Sequence, residues 1–347
     1  MNKTTVAVTA IILIVVIVVS SYGIYRLSVP SDGEPQKETV TVVDDTGAQV
    51  NVGTPVERIV CLNPGLTEMI CALGCEDRIV GRDANSLFPA SISEKPIVGQ
   101  NSYEPNLELL LEMTPDLVVA DTMLVYNNDA LKKIESAGVP VIIEDPSNVT
   151  RVKTITSNFG LILDKEEKAN EIADYIESYE NLVRERVKDL TSSEKPSVYI
   201  EWHVTWQSFA EGSAGHEILV NAGGINIAAG EGVLAPTLSP EYVVEKNPDV
   251  IIRMISGDLQ GNITGFQTTR NEILSRAGLS ETKAVKEGKV YVYDPVVLEG
   301  IRYPVGLLYF AKWLHPSLFE DIDPAAIHEQ LIPRFFGVEL EGVYAYP

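Results

Sequence analysis

Glu108-Leu109-Leu110-Leu111-Glu112-Met113-Thr114-Pro115-Asp116-Leu117-Val118-Val119 reads as an apolar helix, a Pro-Asp break and a strand buried on both faces. The same grammar returns as Glu241-Tyr242-Val243-Val244-Glu245-Lys246-Asn247-Pro248-Asp249-Val250-Ile251-Ile252, at a constant offset of 133 residues and with four of twelve positions identical. A helix that stops at Pro-Asp and feeds a continuous apolar strand is the repeating joint of a parallel α/β sheet. Its recurrence in each half predicts an α/β protein of two Rossmann-like lobes with parallel sheets.

Outward from the first copy, strands are expected at Arg58–Leu62, Arg78–Gly81, Pro96–Gly99, Asp116–Ala120 and Val139–Ile143, with helices at Pro64–Gly74, Asn106–Met113 and Ala130–Ala137. A hairpin, Glu38–Val43 and Ala48–Val52 around Asp45-Thr46-Gly47, precedes them. Outward from the second copy, strands are expected at Pro196–Trp202, Asp249–Arg253 and Lys289–Tyr293, and helices at His216–Asn221, Glu241–Lys246, Tyr303–Leu314 and near Pro324–Ile332. Between the halves, Ala169, Ile172, Ala173, Ile176, Tyr179, Leu182, Val183, Val187 and Leu190 recur at helical spacing without Pro or Gly. They predict one long α-helix, Lys165–Leu190, N-capped by Asp164 and about 39 Å long. The expected organisation is an anchor or signal segment (1–30), a linker (31–38), an N-terminal lobe (39–163), the interlobe helix (164–191) and a C-terminal lobe (192–347).

Thr4–Tyr25 is an uncharged run of 22 residues, enough at ~1.5 Å per residue to cross a bilayer core as a transmembrane helix. Tyr22 and Tyr25 stand where interfacial aromatics belong. An uncleaved N-terminal helix is the favoured reading and a cleaved signal peptide the alternative; no cysteine precedes Cys61 to carry a lipid. The chain of 347 residues has a net charge of −22. Its first thirty residues hold Lys3 and Arg26 and no acid, so the body is more acidic still. That balance excludes nucleic acid as a partner and fits an extracytoplasmic body on the outer face of the cytoplasmic membrane. Three cysteines exclude a four-thiolate iron–sulfur cluster from one chain. Asn148-Val149-Thr150 and Asn262-Ile263-Thr264 are glycosylation triplets.

Enzyme signatures are lacking: the sequence has no phosphate-binding Gly-Lys-Ser/Thr loop and no Gly-x-Ser-x-Gly elbow, and no cofactor of its own is expected. What remains is a set of polar and aromatic residues at strand C-termini, the edge where open parallel sheets bind ligands. In the first half these are Asn63, Asn85, Ser86, Tyr103 and Tyr126; in the second, Trp202, His203, Trp206, Arg253, Arg302 and Tyr303. Glu201-Trp202-His203-Val204-Thr205-Trp206 would form a flat, partly apolar wall for a large planar or macrocyclic ligand; core tryptophans beside a satisfied surface histidine are the alternative. His203 is also a candidate metal ligand. His315 and His328, on late helices, are expected at the surface, and Cys71 and Cys75 as buried apolar residues rather than a disulfide.

At these residues the sequence resembles the class III substrate-binding proteins of ABC importers, which take iron-siderophore, haem or vitamin B12. The resemblance lies in Arg58-Ile59-Val60-Cys61-Leu62-Asn63-Pro64-Gly65-Leu66-Thr67-Glu68, Ala72-Leu73-Gly74, Pro105-Asn106-Leu107-Glu108, Ala222-Gly223-Gly224-Ile225-Asn226, Ser239-Pro240-Glu241 and Ala284-Val285-Lys286-Glu287-Gly288-Lys289-Val290-Tyr291. It implies capture of a metal chelate in a cleft between the lobes; a corrinoid or iron complex ranks first as the ligand, haem second and a bare metal ion third. It further implies delivery to an ABC permease dimer with its ATPase, docked through Glu108 and Glu241. For haem, Tyr103 and His203 would be the axial pair. A membrane-anchored ligand-sensing ectodomain is the rival reading.

Overall fold

A computed structural model describes residues 38–347. The expected membrane helix Thr4–Tyr25 and the tether through residue 37 lie outside the described residues. Strands β1 (Glu38–Val43) and β2 (Gln49–Thr54) form the expected hairpin. Asp44 closes its turn, accepting from the Thr46 and Ala48 amides at 3.0 and 3.1 Å. The Asp45 amide donates to the Ile143 carbonyl and ties the hairpin to the first lobe.

The first lobe runs β3 (Ile59–Cys61), α1 (Pro64–Ala72), β4 (Ile79–Asp83), α2 (Ala90–Ser93), β5 (Ile97–Gly99), α3 (Leu107–Glu112), β6 (Leu117–Ala120), α4 (Asn128–Ser136) and β7 (Val141–Ile143). Its sheet is parallel throughout, in the order β5-β4-β3-β6-β7. After α5 (Val152–Leu163) and α6 (Glu166–Val187), the second lobe follows. It comprises β8 (Ser197–Glu201), α7 (Ala214–Asn221), β9 (Ile225–Asn226), α8 (Pro240–Lys246), β10 (Val250–Met254), α9 (Ile263–Ser275), α10 (Lys283–Lys286), β11 (Val290–Tyr293), α11 (Tyr303–Leu314), α12 (Pro324–Phe336) and β12 (Ala345–Tyr346). Its order is β12-β11-β10-β8-β9, and β12 runs antiparallel. That edge strand departs from the all-parallel expectation; two residues are too few to show a period.

The internal repeat is a repeat of hydrogen bonding. Asn106 and Ser239 cap α3 and α8, accepting from the amides of Leu109 and Tyr242 at 3.2 and 3.1 Å. Thr114 and Asn247 end the two helices with the same left-handed φ of 45°. Asp116 then accepts from the Arg58 amide at 3.0 Å, and Asp249 from the Ser197 amide at 2.8 Å. Each carboxylate therefore fastens the entry of one central strand to the entry of the neighbour it pairs with, and the Pro-Asp dipeptide marks that joint.

Strand alternation sends side chains to opposite faces. Ile59, Cys61, Leu117 and Val119 enter one apolar cluster and Val60, Leu62, Val118 and Ala120 another. The first cluster continues through Ile172, Ile176 and Val183 of α6 into Val198, Ile200 and Ile252 of the second lobe. One core thus joins both lobes across the connecting helix.

That helix is unbroken over 22 residues, about 33 Å, and shorter than expected at both ends. Asp164 does not cap it. It sits at φ 57° as the C-cap of α5, and the Lys165 amide donates to the Gly160 carbonyl. The α5–α6 approach is so close that a Cβ on Gly160 would lie 2.5 Å from the Ala169 Cβ. At the C-terminus α12 returns to the first lobe, where Phe336 meets the Phe88 ring edge-on at 5.0 Å.

Candidate ligand-binding cleft

In each sheet the strand order reverses beside the first strand, and the carboxyl ends of the strands flanking that reversal form the natural crevice. In the first lobe these ends carry Asn63 and Asp121. The Asn63 Oδ1 accepts from the Leu66 amide at 3.0 Å and caps α1, while its Nδ2 donates to Asp121 at 2.9 Å. Asp121 also accepts from the Ser102 hydroxyl. Asn63 is thus committed to shaping the edge. Ser86 is buried and shares its hydroxyl with Asp83 and Thr67, so it is withdrawn from the surface. Asn85, Tyr103 and Tyr126 are exposed, joined by the exposed Leu87 and Met123.

In the second lobe the edge is organised by Glu201, which is wholly buried at the end of β8. It accepts from the Tyr199 hydroxyl at 2.7 Å, the Trp206 amide at 2.6 Å and Arg276 at 2.6 and 3.0 Å, and Arg253 lies 2.8 Å away. This carboxylate, compensated by two guanidiniums, anchors the Trp202–Trp206 loop. Trp206 folds inward at φ 67°, stacks on Tyr199 and lies under Arg276. Trp202 is half-buried against Phe209, with exposed His203 packed edge-on to it at 4.5 Å. Burial, then the nearby Arg253, lower the His203 pKa, which keeps its imidazole neutral and able to coordinate.

Three expected cleft residues have other tasks. Arg253 is buried, pairing with Glu201 and donating to the His203 carbonyl at 2.7 Å. Arg302 is buried and bonded to Glu68 of α1 at 2.6 and 3.2 Å, an ion pair that crosses between the lobes. Tyr303 opens α11, buried and near Glu180 of the connecting helix. A charged or phenolic side chain after a strand looks like a ligand contact until its remote partner is known. His315 and His328, expected at the surface, are also buried. His315 meets the Gly223 carbonyl at 3.1 Å and His328 meets Arg302 at 3.2 Å. Burial and Arg302 push the His328 imidazole down to about 3. All three cysteines are buried and free.

The lobes touch at a floor beneath these edges. The Gly300 amide donates to the Pro146 carbonyl at 2.9 Å, with Gly300 at φ 49°. A Cβ on Gly65 would stand 2.9 Å from the Glu299 Oε2 and 2.9 Å from the Pro146 Cγ. Beside this contact lies a cavity of about 400 Å³, walled by Pro64, Glu68, Asn85, Leu87 and Phe88 from the first lobe and Gln260, Asp294, Pro295, Val296 and Glu299 from the second. A smaller crevice of about 220 Å³ separates Asp145 and Asn148 from Ser213 and Glu217. A larger groove of about 510 Å³ follows β7 and the hairpin, but only the first lobe lines it. Among the described residues no group of three or more His, Cys, Asp or Glu could hold a metal ion.

Sequence reasoning missed Glu68, Glu201, Glu299 and Gly65. Only Glu201 carried a local signal, its place before the aromatic loop. The close approach at Gly65 makes a direct prediction. Gly65→Val is expected to overpack the floor and cost about 1–3 kcal/mol, read as a lower melting temperature. Gly232→Ala, which meets nothing within 4 Å, should leave it unchanged. Equal melting temperatures for the two variants would show that the floor is not a tight contact.

The uncharacterised ABC transporter substrate-binding lipoprotein YvrC of Bacillus subtilis is 26% identical over 287 residues, 81% of this chain and 87% of that protein. The cobalamin-binding protein of Halobacterium salinarum is 26% identical over 223 residues, 63% of this chain and 59% of that protein. Among solved structures, the TroA-like periplasmic binding protein FepB of Veillonella parvula shares the fold with a TM-score of 0.74 at 24% identity, covering 88% of this chain and 99% of that one. The family described as periplasmic binding protein matches residues 59–297, from the first residue of β3 to the edge of the cleft floor. Because that match runs through both lobes and the helix between them, the chain belongs to the periplasmic binding protein family.

Proposed function

We propose that this protein is the extracytoplasmic capture component of an ABC importer and that its cargo is a corrinoid, held between the strand edges of the two lobes. One observation carries the ligand reading. Flat and apolar side chains gather at those edges: exposed Leu87, Tyr103, Met123 and Tyr126 against half-buried Trp202 and exposed His203 and Val204. The nearby arginines are meanwhile engaged in buried pairs. Such walls suit a large ring with a metal of its own. The lack of a metal-holding cluster among the described residues agrees with a ligand that brings the metal pre-coordinated. The Halobacterium relative described as cobalamin-binding points the same way. Thr4–Tyr25 would hold the body at the membrane.

Glu108 and Glu241 are the proposed contacts to the permease. Both are exposed, both stand in the first turn of the helix before a central strand, and both helices begin at the carboxyl edge of their sheet. The test of the ligand reading is titration of the full-length protein with cyanocobalamin, haemin and a ferric chelate, followed by absorbance and calorimetry. Saturable one-to-one binding of cyanocobalamin, at least tenfold tighter than haemin, is expected. Preference for haemin would move the reading to an axial Tyr103–His203 pair, and silence with all three would end it.

A further inference from the structure

The floor cavity has a charge that the ligand must meet. From the second lobe it is lined by Asp294 and Glu299, with apolar Leu87 and Phe88 opposite on the first. The two arginines at this level are committed elsewhere. Arg302 is 1% exposed and bonded to Glu68, and Arg253 is 6% exposed and paired with Glu201. Among the described residues neither Asp294 nor Glu299 stands in an ion pair. Asp294 accepts only neutral donors, the Gln260 Nε2 at 3.0 Å and the Val296 amide at 3.1 Å. Glu299 is wedged against the Gly65 backbone.

We propose that Glu299 is a specificity-determining residue, selecting ligands whose fringe enters the floor cavity as amides or cations and rejecting those that enter with carboxylates. This rests on the corrinoid reading and narrows it: the ring taken is one whose peripheral carboxyls have been converted to amides. An amide N–H or a cation donates to a carboxylate that has no other cation. A ligand carboxylate would instead meet like charge in a partly dehydrated space, where repulsion is weakly screened. The groups facing Glu299 come from several elements. They are Glu68 on α1, Asp121 after β6, Asp145 after β7 and Asp294 after β11, with Arg302 on its own turn already held by Glu68. Burial first, and then those four acids, push the Glu299 carboxyl up to about 8, while burial raises Asp294 to about 6; at neutral pH the standing negative charge is therefore that of Asp294, and Glu299 adds its own, sharpening the selection, as pH rises past about 8. A cation or donor from the ligand would relieve that crowding; another anion would add to it.

The experiment uses one ring with two fringes. The full-length protein is titrated at pH 9.5, well above the raised Glu299 pKa of about 8, with cobinamide, which carries amides, and with cobyrinic acid, which carries carboxylates. The wild type should bind cobinamide much more tightly. In Glu299→Gln, which keeps the shape and removes the charge, the ratio of the two affinities should shrink at least tenfold, chiefly because cobyrinic acid binds better. Asp294→Asn should move the ratio the same way, and melting curves of both variants check that the lobes remain folded. A ratio unchanged in both variants overturns the inference while leaving corrinoid capture intact. Absence of binding to either ring in the wild type overturns the corrinoid reading, and this inference with it.

Discussion

Arg302→Met is expected to lower the melting temperature by more than about 6 °C, corresponding to a loss of about 3–5 kcal/mol. Arg302 lies in the turn that opens α11, and its bidentate partner Glu68 lies on α1 of the other lobe. The guanidinium is caged by the rings of Phe88 at 4.5 Å, Tyr344 at 5.6 Å and Phe336 at 5.9 Å. Removing it leaves a buried carboxylate without compensation, which costs far more than the net contribution of the intact pair. The double variant Glu68→Met/Arg302→Met fills the same space with apolar atoms and should recover most of the loss. A single variant no less stable than the double would show that the pair does not join the lobes.

Reversing both rim acids, Glu108→Arg with Glu241→Arg, is expected to reduce ligand-dependent uptake more than tenfold while leaving ligand affinity unchanged. The asymmetry between neutralisation and reversal follows from electrostatics. An exposed ion pair contributes only ~0.2–1 kcal/mol, so Glu108→Gln alone should have a small effect. Placing like charges against the partner costs several kcal/mol and also spoils orientation. Neither residue lines the floor cavity, so titration of the purified variant should match the wild type. Unchanged uptake would end the docking assignment, and lost affinity would mean that the rim acids serve the cleft instead.

The repeat was legible because each element announces itself over a few residues. Strands buried on both faces show continuous Val, Ile and Leu, and Pro-Asp marks the entry of each central strand, where Asp116 and Asp249 fasten neighbouring strand starts. The helices α5 and α9 were not anticipated. At the candidate site, Asn85, Tyr103, Tyr126 and His203, which the sequence places beyond strand ends, are exposed in the structure. Arg253, inside β10, and Arg302 and Tyr303, at the start of α11, are instead buried, against partners that no local pattern reveals.

The sequence by itself determined two α/β lobes, the long helix between them, an acidic body and the edges at which a ligand can sit. These follow from burial, whose period any short window of residues displays. The tertiary structure alone decided which charges remain open to a ligand. Arg302 finds Glu68 across 234 residues and Arg276 finds Glu201 across 75. No local pattern encodes such meetings: the first needs both lobes folded, and the second needs the C-terminal lobe assembled, before the two side chains come within hydrogen-bonding reach.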